Sequence, residues 1–171
     1  MAKKIGIYYG SSTGTCSEIA AKIAKALGVP DGDVHDVSNL KADEVAAYDV
    51  LLLGSSTWGD GELQDDWYDA LNKLKSVDLN GKEVGLFGCG DSGSYPDTFC
   101  DAIGQLYEEL KDTGCTFVGN NVSTDGYDFS SSISVVNGKF VGLAIDDINE
   151  SGQTDARVAQ WVATLKAQCL S

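Results

Sequence analysis

Residues that could bind a phosphate group are concentrated in one short stretch near the start of the chain. Four Ser and Thr residues and one Cys surround Gly14, directly after an apolar run that ends at Gly10 and directly before a helical pattern. A helix N-terminus presents unpaired backbone N–H groups and the positive end of the helix dipole, and hydroxyl groups add further donors. The stretch therefore predicts a phosphate-binding loop formed by Ser11, Ser12, Thr13, Gly14, Thr15 and Cys16.

Helix capping alone is the alternative interpretation of this loop, because Ser12 or Thr13 could cap the helix with Glu18 nearby. A cap needs only one hydroxyl group, whereas the loop carries four. The loop also lacks the lysine and the following hydroxyl of the G-x-x-x-x-G-K-[ST] motif, which contacts the outer phosphates of nucleoside triphosphates. The sequence therefore argues against a nucleoside triphosphate as the ligand.

Two further loops combine glycine with an aromatic residue after apolar runs. One loop follows residues 50–54 and contains Trp58, and the other follows residues 83–87 and contains Tyr95. Because aromatic side chains gain energy by stacking on flat rings, the three loops together predict a site for a phosphorylated ring such as FMN. The alternative for either aromatic residue is a surface anchor. No loop contains Lys or Arg, so phosphate binding would rest on backbone N–H and hydroxyl donors.

Other site types are disfavoured by the residues that follow the apolar runs. The segment GCGDSG (residues 88–93) matches G-x-G-x-x-G, but a dinucleotide site needs an acidic residue after the next strand, where the chain has Gly119 and Asn120. A signalling receiver domain needs a phosphoacceptor Asp where the chain has Ser55. Asp91 is predicted to accept a hydrogen bond from the edge of the bound ring, with a turn-forming role as the alternative.

The cysteines and the single histidine give no catalytic or metal-binding pattern. The five cysteines are an odd number without a C-x-x-C pair, which indicates a reducing compartment. The sequence offers no general base that could activate the Cys89 thiol. Cys89, like Cys100 and Cys115, is therefore interpreted as a small core residue. His35 offers no metal cluster, so neither a metal site nor hydrolytic chemistry is expected.

Length and charge limit the protein class. The 171 residues, 43% of them apolar, are sufficient for one domain spanning residues 1–171. The net charge of −14 argues against nucleic acid or an anionic membrane surface and favours a partner with a basic surface. We expect no membrane insertion, because no apolar run is long enough to span a bilayer, and no signal peptide, because no hydrophobic stretch follows the initial MAKK.

Apolar runs alternate with helical patterns along the chain, which predicts a parallel sheet covered by helices on both faces. After the first strand, the predicted strands are residues 34–37, 50–54, 83–87, 115–119 and 139–145, and the last two are separated by a polar stretch at 120–138. The predicted helices are residues 18–27, 63–74, 97–110 and 154–168, with a helical turn at 42–48. Because parallel strands end at one edge, the three loops are expected to meet.

These segments closely resemble those of the flavodoxins, in particular the long-chain group. The resemblance rests on YYGSSTGTC, STWGDGELQDDW, GCGDSGSY and the later STDGYDF and GKFVGLAID, and it extends from residue 4 to residue 165. It implies a doubly wound five-stranded parallel sheet in the order 2-1-3-4-5, of which flavodoxin is itself a standard example. It also implies that the polar stretch is an insertion that splits strand 5.

The resemblance implies a role for each residue of the three loops. The phosphate loop would hold the FMN phosphate, Trp58 and Tyr95 would flank the isoalloxazine ring, and Gly90 and Asp91 would meet its pyrimidine edge. The full set of expected FMN-binding residues is Ser11, Ser12, Thr13, Gly14, Thr15, Cys16, Ser56, Thr57, Trp58, Gly59, Asp60, Gly61, Cys89, Gly90, Asp91, Tyr95 and Cys100. Cys16 stands where the family usually has Thr, so its backbone N–H is expected to replace a hydroxyl contact to the phosphate.

The function implied by the resemblance is that of a monomeric, low-potential one-electron carrier with non-covalently bound FMN. It would shuttle between semiquinone and hydroquinone, have no substrate of its own, and exchange electrons with basic redox proteins similar to ferredoxin-NADP reductase or photosystem I. The expected location is the cytoplasm or, for a processed organellar protein, the chloroplast stroma. The alternative is an FMN-dependent NAD(P)H:quinone oxidoreductase of the same fold, which would need one open face of the flavin.

Overall fold

The computed structural model describes residues 3–10, 14–58 and 61–170. The strands are β1 (Ile5–Gly10), β2 (Val34–Asp36), β3 (Val50–Trp58), β4 (Glu62–Leu63), β5 (Glu83–Cys89), β6 (Thr116–Val118), β7 (Val122–Ser123), β8 (Val135–Val136), β9 (Lys139–Phe140) and β10 (Leu143–Ile145). The helices are α1 (Thr15–Leu27), α2 (Ala42–Val45), α3 (Asp66–Lys75), α4 (Asp101–Leu110) and α5 (Thr154–Leu165). A π-helical segment, Lys166–Leu170, continues from α5.

The central sheet is parallel and has the order β2-β1-β3-β5-β10. β6 pairs with the first half of β5, and β10 pairs with its second half. The fifth strand of the sheet is therefore split between β6 and β10, and β5 is the fourth. This arrangement confirms the predicted 2-1-3-4-5 order and the insertion that divides strand 5.

Helices cover both faces of this sheet because alternate residues of its buried strands point in opposite directions. In β3, Leu51 and Leu53 belong to the apolar cluster that includes α3 and α4. Val50 and Leu52 belong to the cluster that includes α1 and α5. The uninterrupted apolar run of β3 thus supplies both cores and fixes this strand at the centre of the molecule. None of the described helices combines the length and apolar character that crossing a membrane requires.

The insertion forms a small sheet of its own, in which β9 pairs antiparallel with both β7 and β8. The prediction of one continuous strand over residues 139–145 is therefore wrong. Phe140 pairs within the insertion, whereas Leu143 joins β5 in the main sheet. Between them the chain passes so close to β5 that a Cβ atom added at Gly142 would lie 2.3 Å from the carbonyl oxygen of Leu86.

Several predicted helix boundaries are also corrected, and α1 begins at Thr15 rather than at residue 18. Leu63 does not begin a helix, because β4 pairs with the end of β3 and delays the start of α3 to Asp66. The helix predicted from residue 97 begins at Asp101, since the Pro96 carbonyl oxygen accepts two backbone hydrogen bonds from the insertion and Cys100 has a left-handed φ of 53°. The helical turn at 42–48 is limited to α2, and the helix predicted to 168 ends at residue 165.

We predict that Gly142→Ala destabilises the fold by about 1–3 kcal/mol, the usual cost of overpacking. The added methyl group would collide with the backbone of β5, which cannot move without breaking strand pairing. Gly32→Ala is the matched control, because a Cβ atom at Gly32 meets nothing within 4 Å. Urea unfolding of both variants measures the effect, and an unchanged midpoint for Gly142→Ala would contradict the close approach.

Candidate functional site

The three loops identified in the sequence follow neighbouring strands of the sheet. Gly10, at the end of β1, is in register with Ser55 of β3. Ser56, the next residue of β3, is in register with Cys89 at the end of β5. The strand pairing therefore brings the three loops side by side at the carboxyl edge of the sheet, where α/β proteins commonly bind ligands.

The first loop leads directly into α1. Ser11, Ser12 and Thr13 lie outside the described residues. Gly14 occupies the N-cap position with a left-handed φ of 93°, a conformation that is accessible to glycine at little cost. Its carbonyl oxygen accepts hydrogen bonds from the Ser17 hydroxyl at 2.7 Å and the Glu18 amide at 3.0 Å. Thr15 and Cys16 form the first turn, so their amides belong to the positive end of the helix dipole.

The Cys16 side chain points away from the exposed edge of this loop. It is fully buried, and its sulfur lies 2.8 Å from the sulfur of Cys89. The thiol therefore occupies the protein interior, and the backbone amide is the group that Cys16 offers to a ligand at the helix N-terminus.

The second loop begins later than predicted, because β3 continues through Trp58. Thr57 and Trp58 pair with Leu63 and Glu62 of β4 in a short antiparallel hairpin. Gly59 and Asp60, the predicted turn, lie outside the described residues, as does the side chain of Trp58. Where the description resumes, Gly61 has a left-handed φ of 98°.

Helix α4 supports this second loop from below. The Thr57 hydroxyl accepts a hydrogen bond from the Ala102 amide at 3.2 Å, in the first turn of α4. The Gln105 side chain donates to the Gly61 carbonyl oxygen. Asp101 is also close, since a Cβ atom at Gly61 would lie 2.7 Å from its carboxylate. Burial raises the pKa of Asp101, and this effect outweighs the hydrogen bonds from Ile133 and Ser132, which lower it. These contacts fix both ends of the loop.

Trp67 and Gln64 support the middle of β3 and the end of β1, and sequence reasoning assigned neither a role. The fully buried indole of Trp67 donates to the Gly54 carbonyl oxygen at 2.8 Å. The backbone N–H of Gln64 donates to the Ser55 hydroxyl at 3.1 Å. A Cβ atom at Gly10 would lie 2.7 Å from the Trp67 ring. The only sequence signal for these residues was their position in the segment LQDDW, directly after the second loop.

The third loop is closed by Asp91. Its carboxylate accepts hydrogen bonds from the amides of Gly93 and Ser94, each at 3.1 Å, and from the Asn149 side chain at 2.7 Å. The hydrogen bond from Asn149 is the main cause that lowers the pKa of Asp91. Asp91 thus fills the turn-forming role that was the alternative interpretation. Tyr95, at the end of the loop, is 44% exposed and presents its ring at the surface.

Asp146 anchors the third loop to the end of β10. It is fully buried and accepts hydrogen bonds from the Ser92 hydroxyl at 2.5 Å, the Ser92 backbone N–H at 3.2 Å and the Asn149 backbone N–H at 2.9 Å. Burial alone would raise the pKa of Asp146, but these hydrogen bonds outweigh it and lower the pKa. Asn149 bonds to both Asp146 and Asp91, so one network joins β10 to the loop.

The two remaining candidates, Gly90 and Cys100, lie beneath this loop. The Gly90 amide donates to the Ile145 carbonyl oxygen at 2.9 Å. Cys100 is fully buried, and its thiol donates to the same carbonyl oxygen at 3.7 Å. A Cβ atom at Gly90 would lie 2.8 Å from the Cys100 amide nitrogen. The core interpretation is confirmed for Cys89 and Cys100, which are buried, whereas Cys115 is only partly buried.

The surroundings of the site are acidic. Glu62, Asp65, Asp66 and Asp69 are all exposed on or near the start of α3. Lys73 forms an ion pair with Asp69 at 3.2 Å, but an exposed pair of this kind is weak. Within the described residues no group of three or more potential ligands could hold a metal ion. The described part of the site can therefore offer a ligand backbone amides and the Tyr95 ring, in a negative field.

We predict that Asp146→Asn destabilises the fold by about 1–3 kcal/mol, because the amide group of Asn would place its own N–H donors against those of Ser92 and Asn149. The loss should depend on pH. The folded pKa of Asp146 is below its ordinary value of 3.8, so its stabilising contribution is complete above that value and disappears as pH falls through the folded pKa.

Urea unfolding of wild type and variant at several pH values tests this prediction. The difference in unfolding free energy should be largest near neutral pH and should shrink below a pH of about 4. Asp112→Asn, at an exposed site, is the matched control and should leave the stability nearly unchanged. A difference that stays constant as the pH falls would mean that the carboxylate charge does not stabilise the loop.

Comparison with known proteins agrees with this arrangement. A family model described as Flavodoxin matches residues 7–161. The flavodoxin of a Nostoc species is 46% identical over 168 residues, which cover 98% of each chain. Flavodoxin 1 of Azotobacter vinelandii is 43% identical over 171 residues, again with 98% of each chain covered. The crystal structure of Fusobacterium nucleatum flavodoxin bound to flavin mononucleotide has a TM-score of 0.89 at 34% identity, covering 97% of this chain and 98% of that chain. The chain belongs to the flavodoxin family.

Proposed function

We propose that this protein is a one-electron carrier that binds FMN non-covalently at the three loops. The observation that carries the proposal is the meeting of these loops at one sheet edge, with the N-terminus of α1 beside the glycine-rich ends of β3 and β5. The similar flavodoxin of Fusobacterium nucleatum, whose structure contains flavin mononucleotide, supports it. The flavin supplies the electron chemistry when bound, and the protein binds it, covers it and sets its electrostatic surroundings.

In this proposal each loop contacts a different part of FMN. The amides of Gly14, Thr15 and Cys16, with the hydroxyls of residues 11–13, hold the phosphate group. Trp58 and Tyr95 cover the ring, and the backbone around Gly90 and Asp91 meets its pyrimidine edge. Ser56, Thr57, Gly59, Asp60 and Gly61 complete the second loop, and Cys89 and Cys100 complete the third from below. The depressed pKa of Asp91 keeps this residue an acceptor.

The acidic residues around the site affect both the redox potential of the bound flavin and the choice of redox partner protein. Added negative charge on the bound flavin is disfavoured near exposed carboxylates, which is consistent with a low-potential carrier that cycles between semiquinone and hydroquinone. The net charge of −14 also favours association with basic proteins, such as a ferredoxin-NADP reductase-like or photosystem I-like donor. The four described cysteines are free thiols, in keeping with a reducing cytoplasm or chloroplast stroma.

An FMN-dependent NAD(P)H:quinone oxidoreductase is the competing function, and anaerobic mixing separates the two. The FMN-loaded protein is mixed with NADPH alone, and then with NADPH and a basic flavin reductase in catalytic amount. A carrier is reduced only when the reductase is present, with a rate that falls as ionic strength rises. Rapid reduction by NADPH alone, followed by quinone turnover, would identify an enzyme and contradict the proposal.

We predict that Tyr95→Ala weakens FMN affinity by about 1–3 kcal/mol, through loss of ring contact. Tyr68→Ala is the matched control, since Tyr68 is 50% exposed and Tyr95 is 44% exposed, and Tyr68 lies on α3 outside the three loops. Fluorescence titration of the apoprotein with FMN measures both affinities. Equal affinity of the Tyr95 variant and wild type would remove Tyr95 from the site.

We also predict that Glu62→Gln with Asp65→Asn raises the lower of the two flavin potentials. A unit charge at about 12 Å in a water-like dielectric is worth roughly 0.3 kcal/mol, so the pair should contribute on the order of 30 mV at low salt. Asp31→Asn with Asp112→Asn is the control of equal charge, because both exposed residues precede the amino ends of strands. Potentiometric titration of the two double variants measures the lower flavin potential in each. Equal shifts in both variants would mean that the position of the carboxylates relative to the three loops does not affect this potential.

A further inference from the structure

Two buried thiols meet between the first turn of α1 and the end of β5. The sulfur atoms of Cys16 and Cys89 lie 2.8 Å apart, although the residues are separated by 73 positions in the sequence. Both residues are free thiols, with exposed fractions of 0% for Cys16 and 7% for Cys89. Ligand binding as proposed above uses backbone groups at these positions, so it leaves this contact between the side chains unexplained.

We propose that Cys16 and Cys89 form an intramolecular disulfide bond when the protein is oxidised by a hydroperoxide. A disulfide has an S–S length of about 2.0 Å, so only a small approach of the two sulfur atoms is needed, and both are already held by regular secondary structure. The bond would connect α1 to β5 and thereby join the first and third loops.

The other described thiols are directed elsewhere, which makes this pair selective. Cys100 donates to the Ile145 carbonyl oxygen at 3.7 Å. Cys115 donates to the Leu110 carbonyl oxygen at 3.5 Å and is only partly buried. In contrast, Cys16 and Cys89 donate to or accept from each other. Oxidation at either sulfur therefore finds the second sulfur within reach.

The reaction balances as a two-electron oxidation of two thiols. Cys89, the more exposed of the pair, attacks one oxygen of the hydroperoxide; the O–O bond breaks, water or an alcohol leaves, and a sulfenic acid remains. The Cys16 sulfur then attacks the sulfenic sulfur, forms the S–S bond and releases water. Each thiol loses its proton, and the hydroperoxide accepts both electrons.

Burial makes this reaction slow without preventing it. Burial, together with the hydrogen bond between Cys89 and Cys16, raises the pKa of the Cys89 thiol, so little of the reactive thiolate is present. The hydroperoxide reaches the pair through local opening of the surrounding structure. We therefore expect oxidation of this pair to be slower than that of the less buried Cys115.

The disulfide should stabilise the fold, because it constrains the unfolded chain over a long loop. The expected rise in the thermal midpoint is roughly 5–15 °C for a protein of this size. The two sulfur atoms are already in contact in the reduced protein, so the folded structure needs little adjustment. The inference concerns side chains of the core and stands whether or not the FMN proposal is correct.

Treating the purified protein with hydrogen peroxide, followed by mass spectrometry of intact protein and of its unreduced peptides, tests the inference. The result expected is one linked peptide pair containing Cys16 and Cys89, whose mass is two hydrogen atoms less than the sum of the two peptides, whatever oxygen is added at Cys115. Dithiothreitol should reverse the change, and the linked form should show the higher thermal midpoint. A linked form without that rise would overturn the stabilising role.

Variants give the matched controls. Cys16→Ser and Cys89→Ser should each abolish the linked species, whereas Cys115→Ser should form it as wild type does. Oxygen addition at Cys89 without linkage, linkage of any other cysteine pair, a disulfide between two chains, or an unchanged thiol count would each overturn the proposal. The wild-type peptide map decides the question by itself if a serine variant does not fold.

Discussion

The parallel pairing of β3 with both β1 and β5 is the constraint on which the rest of the structure depends. The register of these ladders places Gly10 beside Ser55 and Cys89 beside Ser56, the next residue of β3. Because the side chains of β3 are apolar on both faces, the strand can be buried only at the centre of two helical layers. That burial fixes the positions at which the three loops leave the sheet, so the site follows from the core.

The loops themselves are held by polar contacts beneath them. Asp146 accepts from Ser92 and anchors the third loop to β10, Trp67 donates to the Gly54 carbonyl oxygen in the middle of β3, and Thr57 accepts from the first turn of α4. Each contact satisfies a polar group in or near the protein interior, where an unpaired group would be costly. A scaffold built this way can present amides and rings to a ligand with little rearrangement on binding.

Much of this arrangement could be predicted from local sequence patterns. The uninterrupted apolar run of β3 predicted a central parallel strand, and the glycine-rich segments after β1, β3 and β5 predicted loops that meet. Helix starts were harder to predict. Leu63 fits a helical pattern, but it lies in β4 and pairs with Thr57 of β3. Pro96 suits a first helical turn, but its carbonyl oxygen accepts hydrogen bonds from the insertion. Both contacts join distant segments, and the local pattern contains no information about them.

The supporting residues were missed for the same physical reason. Asp146 follows an apolar strand, as many surface residues do, and only the fold reveals that it is buried against Ser92. Cys16 was expected at the phosphate loop, and its thiol instead turns inward to Cys89, far away in sequence. The residue types that contact a ligand are visible in a sequence, whereas the residues that position them become visible once the strand order is known.

The central claim is that the N-terminus of α1 and its preceding loop bind the phosphate of FMN. Titration of the apoprotein with FMN and with riboflavin, which lacks the phosphate, tests it most directly. The account predicts tighter binding of FMN by more than about tenfold, equivalent to roughly 1.4 kcal/mol, at the same pH and ionic strength. Equal affinity for the two flavins, or no binding of either, would contradict the account.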